Sequence, residues 1–437
     1  DGISEEIINA LARIEGLRVA ARTSTFAFKG RHEDLRQVGE KLNVATVLEG
    51  SVRKSGNRLR ITAQLIKVAD GYHLWSERYD RELTDIFEIQ DEIATAIATK
   101  LRGSLAPEPP QQRRGTTNLE AYDLYLKARA LQWKRGRFVL DSTQLLEKAV
   151  ALDPNYADAH AVLADGYRLL ALYGVGKPEA FMPRARASAE RALELDPMQA
   201  EALCTQADVA HAYDMDYEQG MRLWKRALEA DPNHVRTLGD FGTWGVGVLE
   251  RDTEAGLAMI RRAIEIDPLS SWTAGIHVLA LLVAGKKEEA LAEGRRAVEL
   301  DPGSFLANWQ LLSGQIAVGD AVGSLATAKR AVEMWRHPWY LGRLGVAFAM
   351  NGDRESAEAV YNELVARSKT DFVQRVWIGS LAAALGRMDE AMEMAFKSIE
   401  DRDPIAIWLM VLPECEPMRK HARFKELVHA LGLDEYW

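Results

Sequence analysis

From about residue 118 to residue 404, apolar side chains recur three and four positions apart, which is the spacing of amphipathic helices. Gly352 interrupts one such stretch and leaves a periodic segment on each side, so the pattern predicts two helices joined by a tight turn. Small residues stand where the two helices must approach each other. The clearest instance of the pattern consists of Leu344, Gly345, Phe348, Gly352, Ala357 and Tyr361.

An Asp-Pro pair recurs at the ends of these periodic segments. It occurs at Pro154, Pro197, Pro232, Pro268 and Pro302, with steps of 43, 35, 36 and 34 residues. The residue before a proline is biased away from the α region, and Asp is a good helix cap, so each pair is predicted to end one helix and to cap the next. A period near 34 residues indicates a repeat architecture.

These residues resemble the tetratricopeptide repeat (TPR), whose pattern alternates large apolar, small and aromatic residues. Residues 339–371 match it best, and the step of 43 residues contains an insertion around Tyr173 to Pro183. The resemblance implies a mainly α fold, with about eight helical hairpins over residues 118–404 stacked as a right-handed α-solenoid. It also implies protein–protein interaction, because the first helix of each pair lines a concave groove in this family.

Residues 1–103 lack the repeat and predict a small α/β domain. Helices are predicted over residues 3–16, 32–42 and 86–101, a short strand over 17–23, and at least two strands within 44–80. The stretches DGISEEIINAL, VLEGSVRKSGNRLRITAQLI and LWSERYDREL resemble the TolB amino-terminal-like domain. In that family a buried strand precedes the Asp-Gly pair, so we expect the first strand upstream of this chain, together with an effector such as a nucleotide cyclase, a winged-helix domain or a kinase.

Two stretches break the repeat pattern. Residues 104–117 contain three prolines and no apolar period, which predicts a linker, and a capping box over residues 117–120 is predicted to open the first repeat helix. Residues 405–437 are predicted to form a C-terminal capping helix, which covers the apolar face of the last hairpin.

Charge and composition exclude several classes of partner. The net charge is −9, and residues 1–103 contain 16 basic and 16 acidic side chains, so the acidic excess lies in the rest of the chain. We therefore expect no nucleic-acid binding, and we interpret the basic group of Arg53, Lys54, Arg58 and Arg60 as a solvated hairpin face.

The compartment follows from two further features. No apolar run approaches the ~20 residues that span a bilayer, so no membrane insertion is expected. Cys204 and Cys415 lie far apart in the sequence, which argues against a disulfide framework. We expect a cytoplasmic protein, or a periplasmic one if a membrane helix precedes residue 1.

No pattern in the chain predicts catalysis. The stretch from Tyr173 to Lys177 lacks the hydroxyl residue of a phosphate loop, and the glycines from Gly239 to Gly247 lie within a helical pattern, where they favour close helix packing. The histidines show no HExxH spacing, and the cysteines form no CxxC pair. We therefore expect no catalytic residues, no cofactor and no metal.

The groove that the TPR resemblance implies is predicted to be acidic in its early part and aromatic in its later part. The residues placed there are Asp158, Asp165, Glu201, Asp208, His211, Trp272, Leu279, Trp309 and Trp339. Such a groove would bind a partner segment that is basic at one end and apolar at the other. Alternatively, the acids are a solvated face and the tryptophans fill gaps between helix pairs.

These observations predict a non-enzymatic interaction scaffold that binds protein or peptide segments in its groove. The resemblances imply the sensory or regulatory portion of a larger bacterial signalling protein. The alternative is the C-terminal regulatory region of a class III adenylate or guanylate cyclase, a kinase or a winged-helix transcription regulator, with the effector domain outside this chain. The sequence leaves the oligomeric state and the partner open.

Overall fold

The computed structural model describes residues 4, 7, 8, 11, 17–31, 33–56, 58–82, 86–102 and 115–437. The chain divides into two compact units. One consists of residues 1–126 with residues 264–270, and the other of residues 127–263 with residues 271–437. Residues 104–114 of the predicted linker lie outside the described residues.

The first unit contains a three-stranded antiparallel sheet in the order β1-β2-β3. Its strands are β1 (Thr46–Ser55), β2 (Arg58–Lys67) and β3 (His73–Glu82). Gly56, in the turn between β1 and β2, has a φ of 59°, which a glycine adopts without steric cost. The described helices of this unit that precede residue 115 are Arg22–Phe26, Leu35–Leu42 and Ile86–Arg102.

Two sequence patterns account for the core of this unit. The alternation along β2 buries Leu59, Ile61, Ala63 and Leu65, as predicted for a half-buried strand. The four-residue spacing of the helix Ile86–Arg102 buries Ile89, Ile93 and Ile97 in the same cluster as Ile61 and Leu65. Of the predicted first helix, Ser4, Ile7, Ile8 and Leu11 are described and helical, and the rest lies outside the described residues.

The predicted strand over residues 17–23 is wrong. Residues 17–21 have no regular secondary structure, and a helix begins at Arg22. The Arg22 guanidinium lies 4.2 Å from the centre of the Phe26 ring, one helical turn away, and such pairs at i and i+4 stabilise helices.

Residues 115–437, all of which the structure describes, contain no strand and form eight helical hairpins. Numbered 1 to 8, the hairpins pair Leu119–Lys134 with Phe138–Leu152, Ala157–Leu172 with Pro178–Leu195, Ala200–Val209 with Tyr217–Ala230, Val235–Asp240 with Thr253–Ile266, Ser271–Val283 with Lys287–Leu300, Phe305–Ala317 with Ala321–Met334, Pro338–Met350 with Arg354–Arg367, and Arg375–Ala384 with Met388–Glu400. In hairpins 3 and 4 the first helix continues as a π-helical segment, Ala210–Asp214 or Phe241–Leu249. The mainly α fold of TPR type, preceded by a small α/β unit, is confirmed.

Small residues let the helices pack closely at the repeat positions. Ala161, Ala164, Ala189, Ala192 and Ala202 are fully buried together where hairpins 2 and 3 meet. The first helices of successive hairpins from 2 to 8 contact one another, so they line one continuous side of the stack. This is the side on which a TPR groove is expected.

Glycines serve the same purpose within hairpin 4. A Cβ atom on Gly256 would lie 2.4 Å from the carbonyl oxygen of Gly242, so a larger residue would push the two helices apart. The interpretation of these glycines as a packing feature rather than a dinucleotide loop is confirmed.

The Asp-Pro pairs end helices as predicted but act differently on the chain that follows. Asp153, Asp196, Asp231 and Asp301 have φ between −147° and −138° and ψ between 92° and 99°, so each leaves the helical region before its proline. Each carboxylate accepts a hydrogen bond from the N–H two residues on and thus stabilises the turn. The prediction that Asp caps the following helix is wrong, since that helix begins later, for example at Ala157.

Helix capping also differs from prediction at the start of hairpin 1. The side chain of Asn118, rather than Thr117, accepts hydrogen bonds from the N–H groups of Glu120 and Ala121. At the other end, residues 405–437 form several short elements rather than one closing helix, because prolines and a glycine interrupt them. These elements are the 3₁₀ turns Ala406–Met410 and Pro413–Cys415 and the helices Glu416–Arg419 and Phe424–Ala430.

Candidate partner-binding groove

All nine predicted groove residues lie on the first helices of hairpins or, for His211, on the π-helical continuation of one. Their exposure differs from that of an open groove. Asp158, Glu201 and Trp272 are half-buried, whereas the buried members are Asp165, Asp208, His211, Leu279, Trp309 and Trp339. The buried members fall into two groups, which differ in chemistry.

The first group is an arginine–carboxylate network, formed by Arg135, Asp165, Arg168, Glu201, Asp208 and Arg236. Asp165 lies near its centre. Its Oδ1 accepts two hydrogen bonds from Arg168, one from Nε at 2.9 Å and one from Nη2 at 2.6 Å, and a third from Nη1 of Arg236. Its Oδ2 accepts a hydrogen bond from Gln132 at 2.8 Å and lies 3.5 Å from Nη1 of Arg135. Both carboxylate oxygens are therefore engaged within the protein.

Arg236 connects Asp165 with the other two carboxylates of the network. Its Nη1 lies 3.3 Å from Oδ2 of Asp208, and its Nε lies 3.2 Å from Oε1 of Glu201. Its Nη2 donates to the carbonyl oxygen of Glu201 and to Oγ1 of Thr205. Asp208 also lies 3.2 Å from Nε of Arg168. Hairpins 2, 3 and 4 are thus joined through one buried cation.

The pKa values of the carboxyl groups reflect these contacts. Burial alone would raise the pKa of Asp165, but Arg236, Arg168 and Arg135 outweigh it and hold the pKa well below its usual range. Burial is likewise outweighed at Glu201, where Arg236 and His234 lower the pKa to about 2. At Asp240, burial and the nearby Asp208 raise the pKa to about 7.

Asp165 and Asp208 therefore face arginines of their own chain rather than a partner. The prediction of an early groove with free carboxylates is corrected on this point, because the cations that satisfy them belong to hairpins 1, 2 and 4. The role of these positions in partner binding stays a prediction.

A metal ion does not fit this region. In the part of the chain that the structure describes, Cys204, Asp208 and Asp240 could bring ligand atoms within 4.8 Å of one another. However, Arg168 and Arg236 already lie against Asp208, and burial raises the pKa of the Cys204 thiol well above its usual value. A divalent cation would have to compete with two fixed cations and a protonated thiol.

The second group is a tryptophan cluster, formed by Trp309, Trp339, Trp377 and Trp408. The Trp309 ring lies 5.2 Å from Trp339 and 6.0 Å from Trp377, measured between ring centres. Trp408, from the segment after the last hairpin, lies 5.2 Å from Trp309 and 5.3 Å from Trp339. Trp309 and Trp339 are 0% and 1% exposed, so neither is open to a partner.

Two polar groups are buried beside this cluster. Gln374 accepts hydrogen bonds from the indole N–H groups of Trp339 and Trp377 and donates to Asp403 at 2.8 Å. Arg343 lies with its guanidinium 3.8 Å from the centre of the Trp309 ring and donates from Nε to Glu414 at 2.8 Å. Hydrogen bonds therefore fix the rings of Trp339 and Trp377, and the Arg343 guanidinium packs on the ring of Trp309.

The insertion after hairpin 2's first helix reaches the later hairpins. His337 contacts the carbonyl oxygen of Tyr173 at 3.0 Å, and burial lowers the pKa of His337 to about 3, so the neutral ring donates from Nε2. The Tyr173 ring lies 5.5 Å from Phe305 and 5.3 Å from Trp339. Sequence reasoning interpreted Tyr173 only as part of an insertion turn, and it missed a contact that spans 164 residues.

Several residues of the two groups were not predicted. Asp165 and Arg168 stand three positions apart on one helix, which is a signal for an ion pair that the sequence offered. Arg236, Arg343, Gln374 and Trp408 carried no such signal, because their partners lie in other hairpins.

Comparison with known proteins gives one sequence relative. A Rhizobium meliloti (strain 1021) protein named "Putative adenylate cyclase 3" is 44% identical over 167 residues, which are 38% of this chain and 28% of that protein. The chain thus matches less than a third of the relative's length. No family model matches the chain.

Among solved structures, the human IFIT1 dimer with m7Gppp-AAAA has a TM-score of 0.49 at 13% identity and covers 72% of this chain and 77% of its own. PilF of Pseudomonas aeruginosa has a TM-score of 0.35 at 18% identity, and the match covers 52% of this chain and 96% of PilF. YrrB, a TPR protein with an unusual peptide-binding site, has a TM-score of 0.27 at 21% identity, and the match covers 50% of this chain and 97% of YrrB. These scores are low, so the TPR fold of this chain rests on its own hairpins.

No helix in the described parts of the chain is both long enough and apolar enough to cross a membrane.

Proposed function

We propose that this chain is a non-enzymatic scaffold that binds a segment of a protein partner along the first helices of its hairpins. The observation that carries the proposal is the continuous row of contacts between successive first helices, which presents one long side of the stack. Asp158, Glu201 and Trp272 are the predicted groove residues that keep some exposure there. The buried groove residues would fix the first helices, and with them these three side chains.

We further propose that the chain is the sensory or regulatory portion of a larger bacterial signalling protein. The support is the relative named as an adenylate cyclase, of which this chain matches 28%. The specific alternative is the regulatory region of a class III cyclase. A cyclase assay on the product of the full open reading frame, with and without residues 1–437, tests this proposal. Cyclic AMP synthesis that depends on these residues would support it. Synthesis that does not change when they are removed, or no synthesis by either protein, would contradict it.

The chain itself is proposed to lack enzymatic activity. The purified chain should not turn over ATP, peptides or phosphoesters, because the carboxylates of Asp165 and Asp208 are paired with Arg236 and both cysteines are buried. Turnover that survives repurification and is abolished by a single point substitution would contradict this proposal.

Site-directed photo-cross-linking tests the binding side. A photoreactive amino acid at Asp158, on the first helix of hairpin 2, is compared with one at Val322, which lies on a second helix and is 76% exposed. In lysate of the source bacterium, position 158 should cross-link a protein that excess unlabelled chain competes away, and position 322 should not. Competable cross-links from position 322 alone would contradict the proposed binding side.

A further inference from the structure

The aromatic part of the groove is filled by the chain's own C-terminal segment, residues 405–437. This segment leaves hairpin 8 and contacts the first helices of hairpins 6 and 8 through Pro413–Cys415. It then reaches hairpin 3, where the Tyr217 hydroxyl donates to the carbonyl oxygen of Leu431 at 2.7 Å. Tyr217 belongs to the second helix of that hairpin. Residues 408–415 are therefore the part of the segment that lies against first helices, where a partner segment would have to lie.

The segment is anchored first by an aromatic side chain. Trp408 stacks on Trp244 with the two rings 5.9 Å apart and inclined by 14°, and it also packs against Trp309 and Trp339. Trp244 lies in the π-helical segment of hairpin 4, and such segments often occur at functional sites. A single indole therefore connects hairpins 4, 6 and 7.

The second anchor is a carboxylate six positions later. Glu414 accepts a hydrogen bond from Arg343 at 2.8 Å, and both side chains are 0% exposed. Arg343 also donates to Oγ of Ser313 and to the carbonyl oxygen of Trp309. Since the arginine belongs to a first helix, removal of the segment would leave one cation beside an aromatic surface.

Two features weaken the attachment of this segment to the groove. Nη2 of Arg343 and Oε2 of Glu414 have no hydrogen-bond partner, so the buried pair is only partly satisfied. The stretch that contains both anchors has only 3₁₀ turns, whose hydrogen bonds are weaker than those of an α-helix.

We propose that residues 406–415 are an internal ligand of the groove, and that the protein partner displaces them with an aromatic side chain and a carboxylate placed like those of Trp408 and Glu414. The inference rests on the proposed scaffold function and specifies its partner. The groove surface that remains offers indole rings and one buried cation, which complement an aromatic and acidic segment. This partner differs from the basic and apolar segment that the sequence predicted, and the peptide experiments below distinguish the two.

A peptide titration tests this proposal. The probe is a synthetic peptide of residues 404–420 with a fluorescent label, added to the full chain and to its Trp408→Ala variant, with binding followed by fluorescence anisotropy. A tethered segment competes at an effective concentration on the order of millimolar, so the variant should bind the peptide at least about tenfold more tightly than the unchanged chain does.

Matched peptides test the two anchors. The Glu414→Gln and Trp408→Ala peptides should each lose about tenfold in affinity for the variant chain. A Glu416→Gln peptide is the control, because the Glu416 side chain is 46% exposed, and its affinity should change by less than about twofold. If Trp408→Ala does not fold, as judged by circular dichroism, Glu414→Gln of the full chain takes its place.

Equal affinity for both chains, no saturable binding to a folded variant, or equal effects of Glu414→Gln and Glu416→Gln would each overturn the proposal. Failure of the scaffold function is distinguishable from these outcomes. If the peptide results fail while position 158 still cross-links a partner, the internal ligand is wrong and the scaffold stands. If the peptide binds as expected and no partner cross-links, the scaffold proposal fails.

Discussion

The arginine–carboxylate network and the tryptophan cluster are both built mainly on the first helices of hairpins, yet they are completed differently. Asp165 finds its cations in Arg135, Arg168 and Arg236, all from hairpins 1 to 4. The tryptophan cluster is complete only with Trp408, which lies outside the hairpins. One region is self-contained and the other depends on a segment that follows the repeats.

This difference shows that a place on a first helix does not by itself determine the role of a residue. The same side of the stack contains a network whose charges neutralise one another and an aromatic surface covered by the C-terminal segment. We therefore regard the network as a fixed structural element and the aromatic surface as the part that can change its occupant.

The largest effect is expected from loss of the central cation of the network. Arg236→Met leaves Asp165, Glu201 and Asp208 short of a partner in a buried site, and the free energy of unfolding should fall by about 3–5 kcal/mol. Urea denaturation followed by circular dichroism measures it. Arg226→Met, on an exposed position of hairpin 3, is the control and should change stability by less than about 0.5 kcal/mol. A loss below about 1 kcal/mol in Arg236→Met would contradict the central role of this cation.

The buried pair of the aromatic region should respond differently to a double substitution. Arg343→Met alone leaves Glu414 buried without its cation and should cost about 3 kcal/mol. Arg343→Met combined with Glu414→Leu removes both charges and should recover most of that loss, because the other acceptors of Arg343, Ser313 Oγ and the carbonyl oxygen of Trp309, are uncharged. In the network, Arg236→Met with Asp165→Leu should recover little, since Asp208 and Glu201 remain unpaired. Equal recovery of stability in the two double variants would contradict the distinction between the two regions.

Two carboxyl groups, Glu201 in the network and Asp403 beside the tryptophan cluster, should affect stability oppositely as the pH changes. The folded pKa of Glu201, about 2, lies below the usual value, so its contribution to stability is present above about pH 4.5 and is lost as the pH falls toward 2. Burial raises the folded pKa of Asp403 to about 7, so the folded state holds a proton that the unfolded state has lost, and stability falls as the pH rises from about 4 to 7.

Two substitutions separate these contributions. Asp403→Asn should remove a loss of about 2 kcal/mol between about pH 5.5 and 7.5. Glu201→Gln should remove a loss of about 3 kcal/mol as the pH falls from about 4.5 to 2. The free energy of unfolding is measured across both ranges for each variant and for the unchanged chain. If the free energy of unfolding of a variant depends on pH in the same way as that of the unchanged chain, the substituted carboxyl group is not the source of that pH dependence.

Much of the fold could be predicted because its signals are local. The step between Pro197 and Pro232 and the backbone preference before proline predicted where helices end, and the alternation along β2 predicted its buried face. The wrong details are also local in origin. Asp153 satisfies its own turn rather than the next helix, and the short apolar run at Leu17 was too weak to distinguish a strand from an irregular segment.

The site could be predicted only in part, because its character depends on partners distant in sequence. The rule that the first helix lines the groove placed Asp165 and Trp309 on the correct helices. It could not show that Arg236 lies against Asp165 from 71 residues away, or that Trp408 covers Trp309. Such contacts depend on how hairpins wind around one another, and the period of one repeat does not contain that information.

Amide hydrogen exchange of the unmodified chain tests most directly whether the aromatic surface is closed by a segment that opens by itself. The comparison is between the amides of residues 408–415, such as the Leu412 N–H that donates to Trp408, and those of the buried helix Ala157–Leu172. The account predicts that residues 408–415 open at a free energy lower by about 2 kcal/mol or more, independently of global unfolding. Equal opening free energies for the segment and the helix would contradict it, because the segment would then be a permanent part of the core.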